Sequence, residues 1–500
     1  MSAMTNHSTT TEPSDGRLSR SESVRARCLA PGRHRRWTAA WMTGALAIGG
    51  LAMTTPLAGP SGAAGRTDHE SVPCSNDITA PGRQFLLTAK DGYISTPDGN
   101  AVYMWGYAYG NRSFQLPGPV LCVNEGDEVV ITLKNELPQV ATSLQFSGIE
   151  GVRADGRPAQ PQFDGTGVLT SLTDSVAATR SISYAFVAAH PGTYLYQSGT
   201  DPDLQVQMGL YGALIVRPIQ VDAAGPATGN TAWAYDRIVT PAVPAVGTVP
   251  AVPAVYAREM TSVYDKTHEY MLLLSEIDPD LHAAAEEAVT AGQAFRSQDY
   301  RAPYKARYFL INGRSFPDTI APNNASWLPN QPYSALTVIE PYSLANPLPS
   351  LLRYLSVGKE AYPFHPHSNH ERVIAKDGRI LSDGTTDLSE EHFAVVVSPG
   401  STQDATFVWT NVEGYSLTNP VPVPVPLIAN LTDGSYWDGT PYLGSKAKLN
   451  PGVNSANQCG EYYHVAHSHN LTQATNYGAS FGGMLTLIRV NPPSPNSCHQ

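Results

Sequence analysis

The sequence predicts an all-β chain of two β-sandwich domains with one short helical excursion and long loops. Three observations carry this reading. Residues 75–218 read as short strands separated by turns, with no helical period. A second β-rich unit begins near Glu269, at EYMLLLSEID, and its only strong helical pattern is 280–295, DLHAAAEEAVTAGQAF. Between the two lies 241–257, PAVPAVGTVPAVPAVYA, a repeat that cannot donate a full ladder of hydrogen bonds and so reads as an extended linker or long surface loop.

Taken in order, the chain opens on a polar stretch rich in Ser and Arg that ends at Arg33-His34-Arg35-Arg36, before an apolar run at 37–53 and small residues through Ala64. That is the order of a secretory signal, and residues 1–66 are assigned to a signal peptide and disordered N-terminus. The Arg35-Arg36 pair leaves Tat export open beside Sec. A retained anchor is the alternative, but the apolar run is shorter than the roughly 20 residues a spanning helix needs. Beyond it the chain carries 24 Lys+Arg against 40 Asp+Glu. This acidic body opposes nucleic-acid backbones and anionic membrane surfaces, and no membrane span is expected in the mature chain. The expected location is secreted or cell-envelope.

The N-terminal domain is placed at 67–218. Residues 120–133 alternate around a Gly126-Asp127 turn in a hairpin-like pattern; 181–187 alternates again, 193–196 resumes the strand after Pro191-Gly192, and 209–216 is a buried closing strand. A Pro/Ala/Val-rich linker follows at 219–262. The C-terminal domain is placed at 263–492, with strands at 308–312, 335–340, 351–357, 372–375, 392–397, 405–408 and 484–490, and a tail at 493–500. Its Pro-, Gly- and Asn-rich insertion, 411–458, is a functional cover or a mobile loop. The export reading makes disulfides the default for Cys74, Cys122, Cys459 and Cys498. Four cysteines allow three connectivities, and sequence proximity favours Cys74 with Cys122 and Cys459 with Cys498.

Six of the fourteen histidines stand in two stretches, YPFHPHSNH at 362–370 and HVAHSH at 464–469. In a strand, residues i and i+2 share a face, so His365 with His367, and His467 with His469, each present two imidazoles in one direction. Two such strands side by side make a four-imidazole pocket. Clustered neutral imidazoles suit copper or zinc better than calcium or magnesium. The bland alternative is a polar histidine-rich surface loop. His370 and His464 are weighed as further ligands against polar loop histidines; His190, His268, His282 and His392 carry little weight.

On 116–138 (LPGPVLCVNEGDEVVITLKNELP), 142–151, 190–218, 308–317, 353–379 and 460–490 the chain resembles the multicopper oxidases, whose domains are Greek-key cupredoxin β-sandwiches. The resemblance implies ten histidines and a cysteine at set places, and many are replaced. The first H-x-H falls on Gln145-Phe146-Ser147 and the second on Gln197-Ser198-Gly199. In H-P-x-H-x-H the leading histidine is Tyr362, while His365 and His367 remain. The last motif, H-C-H, falls on His467-Ser468-His469, or on Val465 and His467 if counted strictly from Gly460; neither register has a central cysteine. Met484 matches the family's axial position but reads as core packing. In a folded member Gln145 and Gln197 would face the same pocket as the four histidines.

A blue copper centre needs the thiolate and the first imidazole. Neither is present, so chemistry argues against a full four-copper oxidase while its fold is expected. The metal set is therefore His365, His367, His467 and His469, for fewer than four copper ions per chain, with zinc as the alternative metal. Three functions stay open: a copper-dependent oxidoreductase with a reduced metal complement, acting on a small-molecule or metal-ion substrate; a non-catalytic cupredoxin-fold binding or structural protein of the cell envelope; and a copper-sequestering protein. The resemblance also implies a homotrimer, since two-domain relatives often place the metal pocket between subunits.

Overall fold

Alternation along each strand sets which residues enter a core, and the resulting sheets stack in four layers. In the structure, a computed structural model, residues 72–75, 83–218, 232–235, 262–341, 348–411 (except 368 and 384–385), 421–424, 454–457 and 462–491 are described. All of them lie in the compact unit Gly65–Gln500. The expected signal segment, the remainder of the linker, most of the insertion and the tail lie outside the described residues, as do Cys459 and Cys498. The other expected disulfide, Cys74–Cys122, is formed.

The first sandwich pairs a six-stranded and a four-stranded sheet. The former is ordered Ala101–Tyr109, Arg83–Ser95, Glu128–Asn135, Ser181–Val187, Arg153–Ala154, Arg157–Pro158; the latter Leu121–Asn124, Tyr211–Arg217, Gly192–Gln197, Gln145–Phe146. Each contains one parallel pair among antiparallel ones, the result of Greek-key crossovers. Phe85, Leu87, Ile131 and Leu133 from one sheet meet Leu121, Val123, Tyr196 and Leu214 from the other. The hairpin expected at 120–133 is corrected: Leu121–Asn124 and Glu128–Asn135 belong to different sheets. The turn is real, with Gly126 at φ 85° and the Asp127 carboxylate accepting from the Asn124 amide at 2.7 Å, but it carries the chain across the core.

The second sandwich pairs a nine-stranded sheet with a five-stranded one, counted among the described residues. The nine-stranded sheet is centred on Thr402–Phe407, Ser350–Ser356, Glu269–Ile277 and Tyr308–Ile311. The other is ordered Thr337–Ile339, Leu485–Val490, Tyr462–Ser468, Tyr362–Pro366, Val395–Val397. Tyr270, Leu272, Leu352 and Tyr354 face Tyr362, Phe364, Ala466 and Ile488 across this core. The strand expected at 392–397 is split: Glu390–His392 joins Glu371–Lys376 in the nine-stranded sheet, and Val395–Val397 joins Tyr362–Pro366 in the five-stranded one. Part of the expected linker is also a strand, Ala232–Trp233, paired with Tyr264–Asp265.

The helix forms over Pro279–Thr290, shorter than the 280–295 pattern. Asp278 caps it, accepting from the Asp280 amide at 3.0 Å, and Gly292 at φ 71° ends it. Although it leaves the second sandwich, it sends Leu281 and Ala285 into the first sandwich's core. His282 is buried there with Nδ1 2.6 Å from the Tyr103 carbonyl, and burial lowers its pKa to about 4.

The two sandwiches join through a third core. Leu195, Ala213, Ile215 and Cys122 leave the four-stranded sheet on the side opposite its own core and meet Met271, Leu273, Leu355 and Leu310 of the nine-stranded sheet. Beside it Arg353 and Glu269, both fully buried, form an ion pair, and Arg217 reaches Glu269 at 2.9 Å. Arg353 also donates to Thr193 Oγ1 at 2.9 Å and Tyr235 Oη at 2.6 Å, with Asp404 at 3.5 Å. The layer order is therefore six-stranded, four-stranded, nine-stranded, five-stranded. On the other face of the five-stranded sheet His365 and His467 are half-buried and Val396 is exposed, whereas Leu485, Leu487 and Arg489 are buried.

Candidate metal centre

The two histidine stretches become adjacent antiparallel strands. In Tyr362–Pro366, Tyr362, Phe364 and Pro366 are buried while Pro363 and His365 are half-buried; in Tyr462–Ser468 the inward set is Tyr462, His464, Ala466 and Ser468. Phe364 lies opposite Ser468, and His365 opposite His467. Amides extend the ladder by one step at each end, His367 donating to the Val465 carbonyl at 2.9 Å and His469 to that of Pro363 at 2.7 Å. His365, His367, His467 and His469 consequently share the outward face. Val465 shares that face with His467 and His469.

The rings are in mutual contact. Centroids lie 4.9 Å apart for His365 and His367, 5.8 Å for His365 and His467, 5.2 Å for His365 and His469, 5.2 Å for His367 and His467, and 5.9 Å for His467 and His469. Two backbone carbonyls set tautomers. His365 Nδ1 is 2.5 Å from the Phe393 carbonyl and His467 Nδ1 is 2.8 Å from that of Ser468. A carbonyl can only accept, so each Nδ1 carries the hydrogen and each Nε2 keeps its lone pair. His467 Nε2 then accepts from His367 Nε2 across 3.1 Å.

Burial holds the His367 imidazole down at about 4, and the neighbouring rings of His467, His365 and His469 add to this. Burial also lowers the His467 pKa, with the His365 and His469 rings acting in the same direction. Both are therefore neutral near pH 7, the form a metal requires.

The donor set fits copper, the metal the resemblance implies, because it is all imidazole nitrogen and backbone acceptors preset the lone pairs of His365 and His467. Among the described residues, however, no three His, Cys, Asp or Glu side chains are already converged as a metal site. Metal binding there would need the hydrogen on His367 Nε2 to move and the rings to converge.

The other weighed residues lie elsewhere. His464 points into the core, stacked on Tyr462 at 6.4 Å with Nε2 buried and without a hydrogen-bond partner; burial lowers its pKa to about 3. His370 is exposed and makes no ring contact with the four. Tyr362 and Ser468, at the blue-copper positions, also face inward. The Tyr362 hydroxyl donates to Glu276 Oε2 at 2.8 Å; Ser468 donates to Gln473 at 2.5 Å, which donates to Glu360 at 2.7 Å. Met484 is fully buried in the same core. Hydrogen bonds thus cross-link these strands where a blue copper would.

Gln145 and Gln197 are register partners on the four-stranded sheet, but no hydrogen bond joins either to the four histidines. The nine-stranded sheet intervenes, and two inter-sheet spacings are about 20 Å. The expectation that these amides face the histidines is therefore corrected within one chain. Around the lost ligands the first sandwich builds a hydroxyl network instead: Gly199 N donates to Ser143 Oγ at 3.0 Å, and Ser198 to Gln205 at 2.7 Å. A cleft of about 700 Å³ opens beside it, bordered by Leu169, Leu172, Gly199, Thr200 and Phe295. Sequence reasoning missed Phe393, because a backbone carbonyl 28 residues from His365 leaves no residue-type signal.

The comparisons with known proteins bear on the first sandwich. Residues 90–220 match the family model of a multicopper oxidase domain. Laccase abr2 of Aspergillus fumigatus is 35% identical over 104 residues, 21% of this chain and 16% of that protein. The L-ascorbate oxidase of Cucurbita pepo var. melopepo is 33% identical over 106 residues, 21% of this chain and 17% of that protein. The match therefore spans about a sixth of these relatives' length. A blue copper oxidase from Nitrosomonas europaea aligns over 82% of this chain and 86% of its own, at 16% identity and a TM-score of 0.46. Residues 90–220 are thus a multicopper oxidase domain by this match.

Proposed function

We propose that this protein is an exported copper-binding member of the multicopper oxidase family with a reduced metal complement, acting as a copper-dependent oxidoreductase. The observation that supports it is the gathering of His365, His367, His467 and His469 on one outward face with carbonyls holding two of their Nδ1 hydrogens. Copper bound there would supply one-electron redox chemistry. The chain's own part is to hold neutral imidazoles in place, keep His467 oriented through Ser468, and leave the outer side open to a small-molecule or metal-ion substrate. Zinc fits the same nitrogen donors.

The layer order favours assembly as the second part of this proposal. Because the first sandwich's Gln145 and Gln197 cannot reach the histidines of their own chain, a second copy must bring its first sandwich there if those groups are to meet. A homotrimer closed head to tail satisfies this.

Metal analysis of purified full-length protein, with an oxidase assay on the same sample, is the test. About one copper per chain with activity supports the proposal; bound copper without activity favours sequestration. No retained copper or zinc after dialysis overturns it in favour of a non-catalytic cupredoxin scaffold, the reading that replacement of the first-domain ligands and of the blue-copper pair supports.

A further inference from the structure

One residue outside the histidine set touches two of its members. Phe393 lies at the bend between Glu390–His392, held by the nine-stranded sheet, and Val395–Val397, held by the strand that carries His365. The bend is pinned from both sides. Its carbonyl lies 2.5 Å from His365 Nδ1, and its ring stands edge-on to His365 at 5.5 Å and to His469 at 6.2 Å. Yet the residue is 58% exposed. A large apolar ring left in solvent gains little from burial. Its edge-on contacts with two imidazoles single it out from Val396, 53% exposed on the adjoining strand and paired with Pro363.

We propose that Phe393 is the positioning and covering residue of this site: its carbonyl fixes the His365 tautomer, and its ring, edge-on to the half-buried His365 and the exposed His469, narrows the approach of anions and chelators to them. The inference rests on the copper-binding reading. An apolar shell around a site controls solvent access, and the partner of a ligating imidazole fixes its orientation. Substituting the side chain removes the ring and leaves the carbonyl in place, so the two roles separate experimentally.

The test uses the full chain loaded with Cu(II). Phe393→Ala should bind the same amount of copper as the unmodified protein but surrender it to EDTA about tenfold faster, and bind azide about tenfold more tightly, the lower end of what a supporting residue is worth at a metal site. Azide binding is read from its charge-transfer absorption. Phe393→Leu should restore both values towards those of the unmodified protein, and Val396→Ala should change neither. Because Phe393 is mostly exposed, the metal-free melting temperature of Phe393→Ala should stay unchanged; should it fall, Phe393→Leu against Phe393→Ser decides the point. Equal EDTA and azide behaviour in Phe393→Ala and the unmodified protein, with copper bound in both, overturns the covering role and leaves the copper reading intact. An equal effect of Val396→Ala overturns it as well. Absence of bound copper in the unmodified protein overturns both.

Discussion

The ion cluster between the two sandwiches gives the sharpest stability test. Glu269 is fully buried and receives Arg217 at 3.1 and 2.9 Å on Oε2 and Arg353 at 2.8 Å on Oε1. Burial alone would raise its pKa, but Arg353 and Arg217 outweigh burial and hold it below the ordinary value. Replacing Glu269 by Gln keeps the shape and removes the charge, leaving the fully buried Arg353 with Asp404 at 3.5 Å as its remaining carboxylate. Breaking a buried pair by removing one partner costs about 3–5 kcal/mol. Glu269→Gln should therefore lower unfolding free energy by about 3 kcal/mol, and Arg353→Met by a similar amount. The double variant should fall short of the sum, because the Glu269–Arg353 pair is then lost only once, while Arg217 and Asp404 still each lose a partner. Urea unfolding followed by tryptophan fluorescence measures all three. The contribution should be present above the unfolded carboxyl's pKa and fade as pH falls through the lower folded value. Single-variant losses below about 1 kcal/mol, the range of an exposed pair, would refute the reasoning.

Three further outcomes are expected. Burial raises the Glu371 carboxyl to about 8, so its neutral form is favoured on folding; that contribution is complete below the unfolded value near 4.5 and is lost as pH rises through about 8, and Glu371→Gln should flatten the decline, as measured by urea melts from pH 5 to 9. Copper-loaded protein should show no intense thiolate-to-copper absorption, since Tyr362 and Ser468 are both turned into the core and neither supplies sulfur; a strong blue band would contradict this. Copper at a hundred times its dissociation constant should add about 2.7 kcal/mol to the native state, seen as a raised melting temperature, and His367→Ala with His467→Ala should abolish that rise while the metal-free protein still folds.

Much of the site was legible because strand alternation is local. Tyr362, Phe364 and Pro366 turn inward, which leaves His365 outward, and the same rule places His467 opposite the inward Ser468. The register of the second motif was not legible, since counting from Gly460 and matching histidines gave different answers, and strand alternation puts Val465 and His467 on one face in either case. The 120–133 stretch shows the limit of alternation from the other side. A strand pair joined by a tight turn and a crossover between two sheets have the same apolar pattern, because each strand still buries every second residue. Which sheet a strand joins is decided by residues far away, here Arg83–Ala89 for one and Leu214–Arg217 for the other.

The same non-local order separates fold from chemistry. The first domain retains enough of the family's strands to match it at residues 90–220, while the hydroxyls of Ser143, Ser198 and Thr200 and the amide of Gln205 occupy the neighbourhood of its replaced ligands. In the second sandwich the inward blue-copper positions have become Tyr362–Glu276 and Ser468–Gln473–Glu360 contacts, which need no metal to hold the strands together. The outward histidines are hydrogen-bonded to the Phe393 and Ser468 carbonyls and, between His367 and His467, to one another. They pack against one another and against Phe393, and two of them carry lowered pKa values because neutral rings are favoured there. With the inward face held by these hydrogen bonds, metal bound at the outer face would act on a scaffold already formed.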